Sequence, residues 1–405
     1  MKRNCELRVA WVIPITCIYW QAILKDFVRL FPQTKIFTSK LFISAWEWEK
    51  NLNIEQVGQL KTFKFKRQNI SYGSKFALMS PQIINRLWQY RPQLIIVDTF
   101  CVWTILVLLT KFWGKWQVIL AYEGSSPGVD FLNSPLRLLI RRLMVALADA
   151  CITNSKTGKA YLIQILHASE NKVFNYPYLV PDSQYLIKNF NEVQSVLKNT
   201  SNFQRTLDFS SNLAVNNTSP KQTVFLFIGR LIPRKGIQIL LQACSLLKQQ
   251  GYTNYSLIVV GEGEQKSQLQ EFCQVNKLEE YIQWIGQVNY DQIGTYFEQA
   301  DILVLPCLED TWGMVILEAI LYGKMVLCSN GAGASEIVAD NQNGYVFEPN
   351  DPELLAKLMA AAIKDSSLIE SMQQKSKQIA DKYSPQLSAH FLAEIIHFCW
   401  VDEND

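Results

Sequence analysis

Short runs of consecutive apolar residues alternate along the chain with longer stretches in which apolar positions recur at helical spacing. The runs read as strands buried on both faces and the longer stretches as helices laid over them. Their alternation predicts parallel sheets covered by helices. In the first half the predicted strands are Val9–Ile13, Lys35–Thr38, Leu94–Val97, Val118–Tyr122 and Ala150–Thr153, with helices over Pro81–Gln89 and Pro135–Ala148. From Asn191 to Lys221 the pattern gives way to Asn, Ser, Thr and Gln, as in a linker or long loop. A second set of strands follows: Thr223–Ile228, Ser256–Val260, Ile282–Ile285, Ile302–Val304 and Met325–Cys328, each leading into a helix-like segment. The final stretch, Pro385–Trp400, sets Leu387, Phe391, Ile395 and Phe398 at helical spacing. No short repeat is visible. The organisation this implies is α/β, two Rossmann-like, doubly wound domains facing across a cleft. They span residues 1–185 and 222–384, with 186–221 as the connection.

A length of 405 residues agrees with two domains, and 49% hydrophobic against 19% charged residues is the balance of a folded globular protein. The 39 Lys and Arg nearly cancel the 36 Asp and Glu, which argues against a nucleic-acid binder working through bulk positive charge. Nine scattered cysteines with no CxxC pair indicate neither a zinc site nor a disulfide framework, so a reducing, cytoplasmic setting is expected. The sequons at Asn69, Asn199 and Asn216 then carry no weight. Lys2 and Arg3 precede an apolar stretch, Leu7 to Ile18, that superficially resembles a secretory signal. Arg8 and Pro14 interrupt it and no small-x-small site follows, so a buried first strand is the better reading. Phe100–Leu109 is too short for the ~20 residues a spanning helix needs.

Candidate chemistry lies in the second half. Phe225–Ile228 runs into Gly229, Arg230 and a loop that holds Arg234 and Lys235 before Gly236. The planar fork of an Arg and the point charge of a Lys suit a diphosphate, although a solvated basic turn would look the same. Gly261-Glu262-Gly263 repeats the strand-end glycine one βα unit later; a lone GxG is also an ordinary tight turn. The third segment, Ile302 to Ala319, passes from a strand through Glu309, Asp310 and Thr311 to a helix expected near Trp312–Gly313. The amides of Gly313, Met314 and Val315 would head that helix and favour an anion, bracketed by carboxylates at Asp310 and Glu318. Carboxylates accept hydrogen bonds from sugar hydroxyls. Taken singly, Asp310 could be a helix cap and Glu318 half of a helix ion pair. Glu123, after the strand ending at Tyr122, is the candidate in the first half. His167, in a helix-like segment, and His390 and His397, flanking the terminal helix, read as structural.

These segments together resemble the donor domain of glycosyltransferase family 4, a retaining family with the GT-B fold. The matching residues are Gly229-Arg230 through Lys235-Gly236, Gly261-Glu262-Gly263, Asp310 through Glu318-Ala319, Gly323 through Val326, and Gly333 through Glu336, with Asn343-Gly344 in a turn. The likeness covers roughly residues 222–350. Tyr383-Ser384-Pro385 and the helix after it resemble the segment that crosses back to the first domain. Residues 1–185 resemble the acceptor domain in pattern only, with Asn154-Ser155 near a familiar place. Two departures stand out: Asp310 replaces the first glutamate of the E-x7-E loop, and Pro14-Ile15-Thr16-Cys17 replaces a glycine-rich loop after strand one.

The resemblance implies a transferase moving a sugar from a UDP- or GDP-sugar to a glycan or lipid-linked acceptor, in polysaccharide or glycoconjugate synthesis. Arg230 and Lys235 would neutralise the leaving diphosphate, Asp310 would hold a hydroxyl of the transferred sugar and Glu318 the ribose. Gly229, Gly261, Glu309, Thr311, Gly313, Met314 and Val315 would complete the donor site, and Glu123 would serve the acceptor. No apolar-flanked DxD motif is present, so no metal or other cofactor is expected. Three arginines among apolar residues in Pro135–Met144 allow peripheral contact with an anionic membrane, although such a pattern is more often a core helix with arginines at its rim. The rival reading is a non-catalytic GT-B subunit that partners an active transferase. An NAD oxidoreductase lacks the required G-x-G-x-x-G after strand one.

Overall fold

The computed structural model describes residues 6–16, 18–41, 52–64, 75–181 and 222–401. The expected linker over 186–221, the three sequons, Cys5 and Cys17 all lie outside the described residues. The chain divides into two compact units, residues 1–181 with 383–405 and residues 182–382.

In the first unit the strands are β1 (Val9–Ile15), β2 (Thr34–Lys40), β3 (Ile54–Gln56), β6 (Leu94–Asp98), β7 (Gln117–Tyr122), β8 (Ala150–Thr153) and β9 (Val173–Asn175). They form one parallel sheet in the order β3-β2-β1-β6-β7-β8-β9. Between β3 and β6 a separate antiparallel pair is formed by β4 (Lys61–Lys64) and β5 (Lys75–Leu78). The stretch that resembled a signal is thus a central strand. Pro14 is accommodated because β1 pairs with β6 only as far as Val12, so no ladder hydrogen bond is demanded of it on that side. Helices α1 (Ile18–Leu30), α2 (Ile83–Tyr90), α3 (Val102–Gly114), α4 (Pro127–Asp130), α5 (Pro135–Leu147) and α6 (Lys156–Ala160) connect the strands. Phe100–Leu109 therefore belongs largely to α3, an amphipathic cover for the sheet. Among the described residues no helix is long and apolar enough to cross a membrane.

The second unit holds β10 (Thr223–Ile228), β11 (Tyr255–Val260), β12 (Ile282–Gly286), β13 (Ile302–Leu305), β14 (Met325–Ser329) and β15 (Gly344–Phe347), all parallel, in the order β12-β11-β10-β13-β14-β15. Continuous apolar runs such as Phe225–Phe227 and Ile302–Leu305 are buried on both sides, which is what makes them strands of a covered sheet. Helices α7 (Ile237–Gln249), α8 (Lys266–Val275), α9 (Ile293–Gln299), α10 (Met314–Leu321), α11 (Pro352–Lys364) and α12 (Ser366–Ala380) complete this unit.

The last helix, α13 (Pro385–Val401), returns to the first unit. There Phe391 meets Tyr176, Phe398 meets Phe174, and the Gln117 side chain donates to the Cys399 carbonyl. Its buried stripe is Leu392, Ile395, Ile396 and Cys399; Leu387, expected on that stripe, is exposed. Asn343 lies in a turn as expected, which Gly344 closes as it opens β15. Two further expectations need correction: His167 sits beyond its helical segment in a left-handed conformation, φ 61°, and His390 and His397 lie within α13 rather than flanking it.

Candidate active site

In the second unit the chain order reverses between β10 and β13, and in open α/β sheets ligands bind at the carboxyl ends of strands at such a switch point. The loops leaving these two strands carry most of the residues singled out in the sequence, and the structure binds the loops together. The backbone amides of Leu308 and Glu309 donate to the Arg234 carbonyl at 2.7 and 3.3 Å, and the Arg234 guanidinium donates to the Glu309 carbonyl at 3.3 Å. Gly236 lies so near that an added Cβ would sit 1.8 Å from the Pro306 carbonyl oxygen.

Lys235 forms a hydrogen-bonded ion pair with Asp310, and Arg234 approaches the same carboxylate at 3.7 Å. Both cations and Asp310 are largely buried, so the pair is less screened than a surface salt bridge. Asp310 is held from the other side as well, since its amide donates to Gly331 at 2.8 Å and its carbonyl accepts from Gly333 at 3.1 Å. This corrects the simple expectation that Asp310 reaches only a sugar: it also orients Lys235. Arg230 differs from its neighbours. Leu231 and Ile232 are buried and pin the loop, whereas Arg230 is exposed and makes no ion pair among the described residues.

Beyond Asp310 the chain enters α10, whose first residue is Met314. Gly313 precedes it at φ 87°, a conformation that strains residues with a Cβ. The helix therefore begins one to two residues later than the pattern suggested. The amides of Met314 and Val315 lie in the first turn, where an α-helix has no internal acceptors for them. Glu309 and Thr311 are partly exposed in the preceding loop.

Glu318 is only 2% exposed on the second turn. The Tyr290 hydroxyl donates to its Oε1 at 2.9 Å. Burial pushes its carboxyl up to about 7, against the opposing pulls of the Tyr290 hydrogen bond and the Lys235 ammonium. Lys235 thus faces two carboxylates: one paired with it directly, one sensing its field. Arg234 and Tyr290 were not singled out in the sequence. Tyr290 sits in an isolated turn between strand and helix, where no motif marks it.

The strand-end glycines have mainly a packing role. A Cβ on Gly261 would lie 1.9 Å from the Gly229 carbonyl oxygen and one on Gly263 2.2 Å from that of Leu231. The Gly229 amide donates to Val260 and that of Leu231 to Glu262, both at 3.0 Å. Gly261 and Gly263 let the β11 loop brace the loop that carries Arg230 and Lys235, while Gly229 keeps more open space around it.

A second cluster lies in the first unit, again where the chain order reverses, here between β1 and β6. Asp98 ends β6, and its carboxyl is raised well above the usual range by burial and by the neighbouring Glu123 carboxylate. Its Oδ1 and the hydroxyl of buried Tyr178, which feels both acids, have no hydrogen-bond partner within the described residues. Asn154 fixes the segment, donating to the Glu123 carbonyl at 2.9 Å and accepting from the Leu179 amide at 3.0 Å. Ser155 caps α6 through the Gly158 amide at 3.0 Å. Glu123 was marked in the sequence and Asp98 was not, although an acid closing a buried strand is a readable signal. His167, His390 and His397 join neither cluster. Among the described residues no group of His, Cys, Asp or Glu is arranged to hold a metal ion.

Residues 208–379 match the family model of glycosyl transferases group 1. An uncharacterized glycosyltransferase of Methanocaldococcus jannaschii is 26% identical over 159 residues, 39% of this chain and 43% of that protein. The O-antigen chain mannosyltransferase B of Escherichia coli is 32% identical over 143 residues, 35% of this chain and 37% of that protein. The chain thus matches less than half the length of these curated relatives. Among solved structures, HepE of Anabaena in complex with UDP superposes with a TM-score of 0.71 at 15% identity, covering 96% of this chain and all of that one. The likeness extends to other GT-B glycosyltransferases, so the fold is GT-B.

Proposed function

We propose that this protein is a nucleotide-sugar-dependent glycosyltransferase. In this reading it transfers a hexosyl group from a UDP- or GDP-sugar to a glycan or lipid-linked acceptor, with retention of configuration and without a metal. The observation that carries the proposal is the Lys235–Asp310 pair at the switch point of the second sheet, one helix entry before the amides of Met314 and Val315 and the buried Glu318. The match of residues 208–379 to group 1 glycosyl transferases supports it.

A leaving nucleoside diphosphate gains negative charge as the sugar–phosphate bond breaks, and preorganised donors are most effective against charge that develops in the transition state. Arg230 and Lys235 supply two cations there, and the first-turn amides of α10 supply dipoles. Asp310 keeps Lys235 oriented and offers its second oxygen to a sugar hydroxyl. Glu318 accepts hydrogen bonds from the donor ribose, which would stabilise its ionised form. Asp98 and Glu123 of the first unit serve the acceptor hydroxyls. Donor chemistry of this kind agrees with HepE, solved with UDP and with UDP-glucose. An acceptor in surface-glycan synthesis agrees with relatives named for O-antigen and lipopolysaccharide transfer. A cytoplasmic location, with peripheral contact at the inner membrane face, belongs to the same reading.

The test is release of nucleoside diphosphate from a panel of UDP- and GDP-sugars in the presence of lipid-linked acceptors. Sugar-dependent release that Lys235→Ala abolishes is expected. Tight nucleotide binding with no turnover on any acceptor would favour the non-catalytic subunit instead.

A further inference from the structure

Glu318 is aimed from outside its own helix. Its stem is buried on the second turn of α10, but burying the stem does not fix the plane of the carboxylate, because the terminal χ3 torsion of a glutamate is broad. The group that fixes it comes from another part of the sheet. The Tyr290 hydroxyl donates to Oε1 at 2.9 Å from a short helical turn, Tyr290–Gln292, that follows β12. β12 is an edge strand, and α10 follows β13, three places across the sheet. The turn is itself pinned by a capping box: the Asn289 side chain accepts from the Gln292 amide, and the Gln292 side chain accepts from the Asn289 amide at 3.2 Å. Tyr290 follows the cap directly, so its backbone is held while its half-buried ring reaches α10.

Among the described residues this is the one hydrogen bond that Glu318 accepts, so its other oxygen, Oε2, is left for a donor from a ligand. Lys235 does not take that place, because its ammonium is bonded to Asp310. Tyr322, just past the end of α10, feels the Glu318 charge, yet its buried hydroxyl bonds to no described residue. Two tyrosines therefore lie near this carboxylate, and one of them is bonded to it.

We propose that Tyr290 is a positioning residue for ribose recognition: by occupying Oε1 of Glu318 it presents Oε2 to the ribose hydroxyls of the nucleotide, and so selects ribonucleotides over their deoxy forms. The inference rests on the assignment of Glu318 to the donor ribose in the sugar-transfer reading, and adds the residue that aims it and the specificity that results. An ionised carboxylate only accepts hydrogen bonds, which matches the two adjacent donors of a ribose diol. The Tyr290 hydrogen bond favours that ionised form against the effect of burial. A nucleotide that lacks a hydroxyl leaves Oε2 buried and unpaired, which is how a site built for a hydroxyl rejects the analogue without it. Without the Tyr290 hydroxyl, Oε1 is unpaired as well, the carboxylate plane is no longer set, and the rejection weakens.

The full chain is titrated calorimetrically with UDP and GDP, then with the 2′-deoxy and 3′-deoxy forms of whichever binds. The wild type should bind the ribonucleotide at least about ten-fold more tightly than one or both deoxy forms. In Tyr290→Phe that preference should fall to about three-fold or less, and the donor KM should rise with kcat nearly unchanged, because the ribose contact is made equally in the ground and transition states. Tyr322→Phe is the control: it removes a hydroxyl near Glu318 that is not bonded to it, keeps the ring stacked on Phe297, and should retain the wild-type preference. Equal weakening of ribo and deoxy forms by Tyr290→Phe, with the preference intact, would make Tyr290 a structural residue only and overturns the inference. So does an equal loss of preference in Tyr322→Phe, or a wild type that binds ribo and deoxy forms alike, and either result leaves the donor site standing. A folded wild type that binds no nucleoside diphosphate overturns the donor-site reading itself, and the inference with it.

Discussion

Glu318 should make the C-terminal unit less stable as pH rises toward neutrality, and Glu318→Gln should remove that dependence. Burial lifts this carboxyl from 4.5 to about 7. At 1.36 kcal/mol per pH unit, a lift of about 2.5 units means that ionising Glu318 in the folded chain costs about 3 kcal/mol more than in the unfolded one. Between these values the unfolded chain has released a proton that the native state still holds, so stability falls as pH rises. The contribution is fully present below about 4.5 and lost above about 7. Glutamine preserves the shape and an oxygen for the Tyr290 hydroxyl while carrying no charge. For a unit of this size 1 kcal/mol moves Tm by about 2–4 °C. The Tm of the variant minus that of the wild type should therefore grow by about 5–10 °C between roughly pH 5 and pH 8. Calorimetric scans of both proteins in matched buffers give this difference directly, and hydrogen exchange in α10 assigns the transition. Parallel curves across that range would refute the buried, protonated carboxyl, as would a wild type that gains stability relative to the variant.

Three further outcomes follow from the cation–carboxylate cluster. Lys235→Ala and Arg230→Ala should each lower turnover by about 10²–10³ with circular dichroism unchanged, and wild-type rates in either would remove the diphosphate assignment. Asp310→Asn should impair both nucleotide affinity and turnover, because it weakens the hold on Lys235 as well as on the sugar; a mere helix cap would tolerate Asn, and Glu309→Gln serves as the control. Turnover should persist in EDTA, since cations and amides do the charge neutralisation; loss on chelation with recovery in Mg²⁺ or Mn²⁺ would contradict it.

The buried strands were readable because parallel strands covered on both faces leave an uninterrupted apolar run, as in Thr223–Ile228 and Ala150–Thr153. What escaped notice lacks that signature. Strands β3 and β9 are three residues each at the sheet edges, and β15 begins with Gly344 and is only partly buried. In the candidate site, spacing brought Lys235, Asp310 and Glu318 to attention because all three follow strand ends within one segment each. Their mutual arrangement was not readable: that Asp310 pairs with Lys235 depends on two loops 75 residues apart in the chain. Tyr290 and Arg234 were missed for the same reason, since each acquires its role only through a partner brought near by the sheet order. Asp98 was overlooked because attention to strand interiors passes over the residue that closes them.

The most direct test is calorimetric titration of UDP, GDP and ADP into the full chain in EDTA, repeated with Lys235→Ala. The expected result is saturable binding of one nucleoside diphosphate at a single site, weakened by at least about ten-fold when the Lys235 cation is removed. Failure of all three to bind the folded wild type, or equal affinity in Lys235→Ala, would contradict a nucleotide-sugar site at the loops that follow β10 and β13.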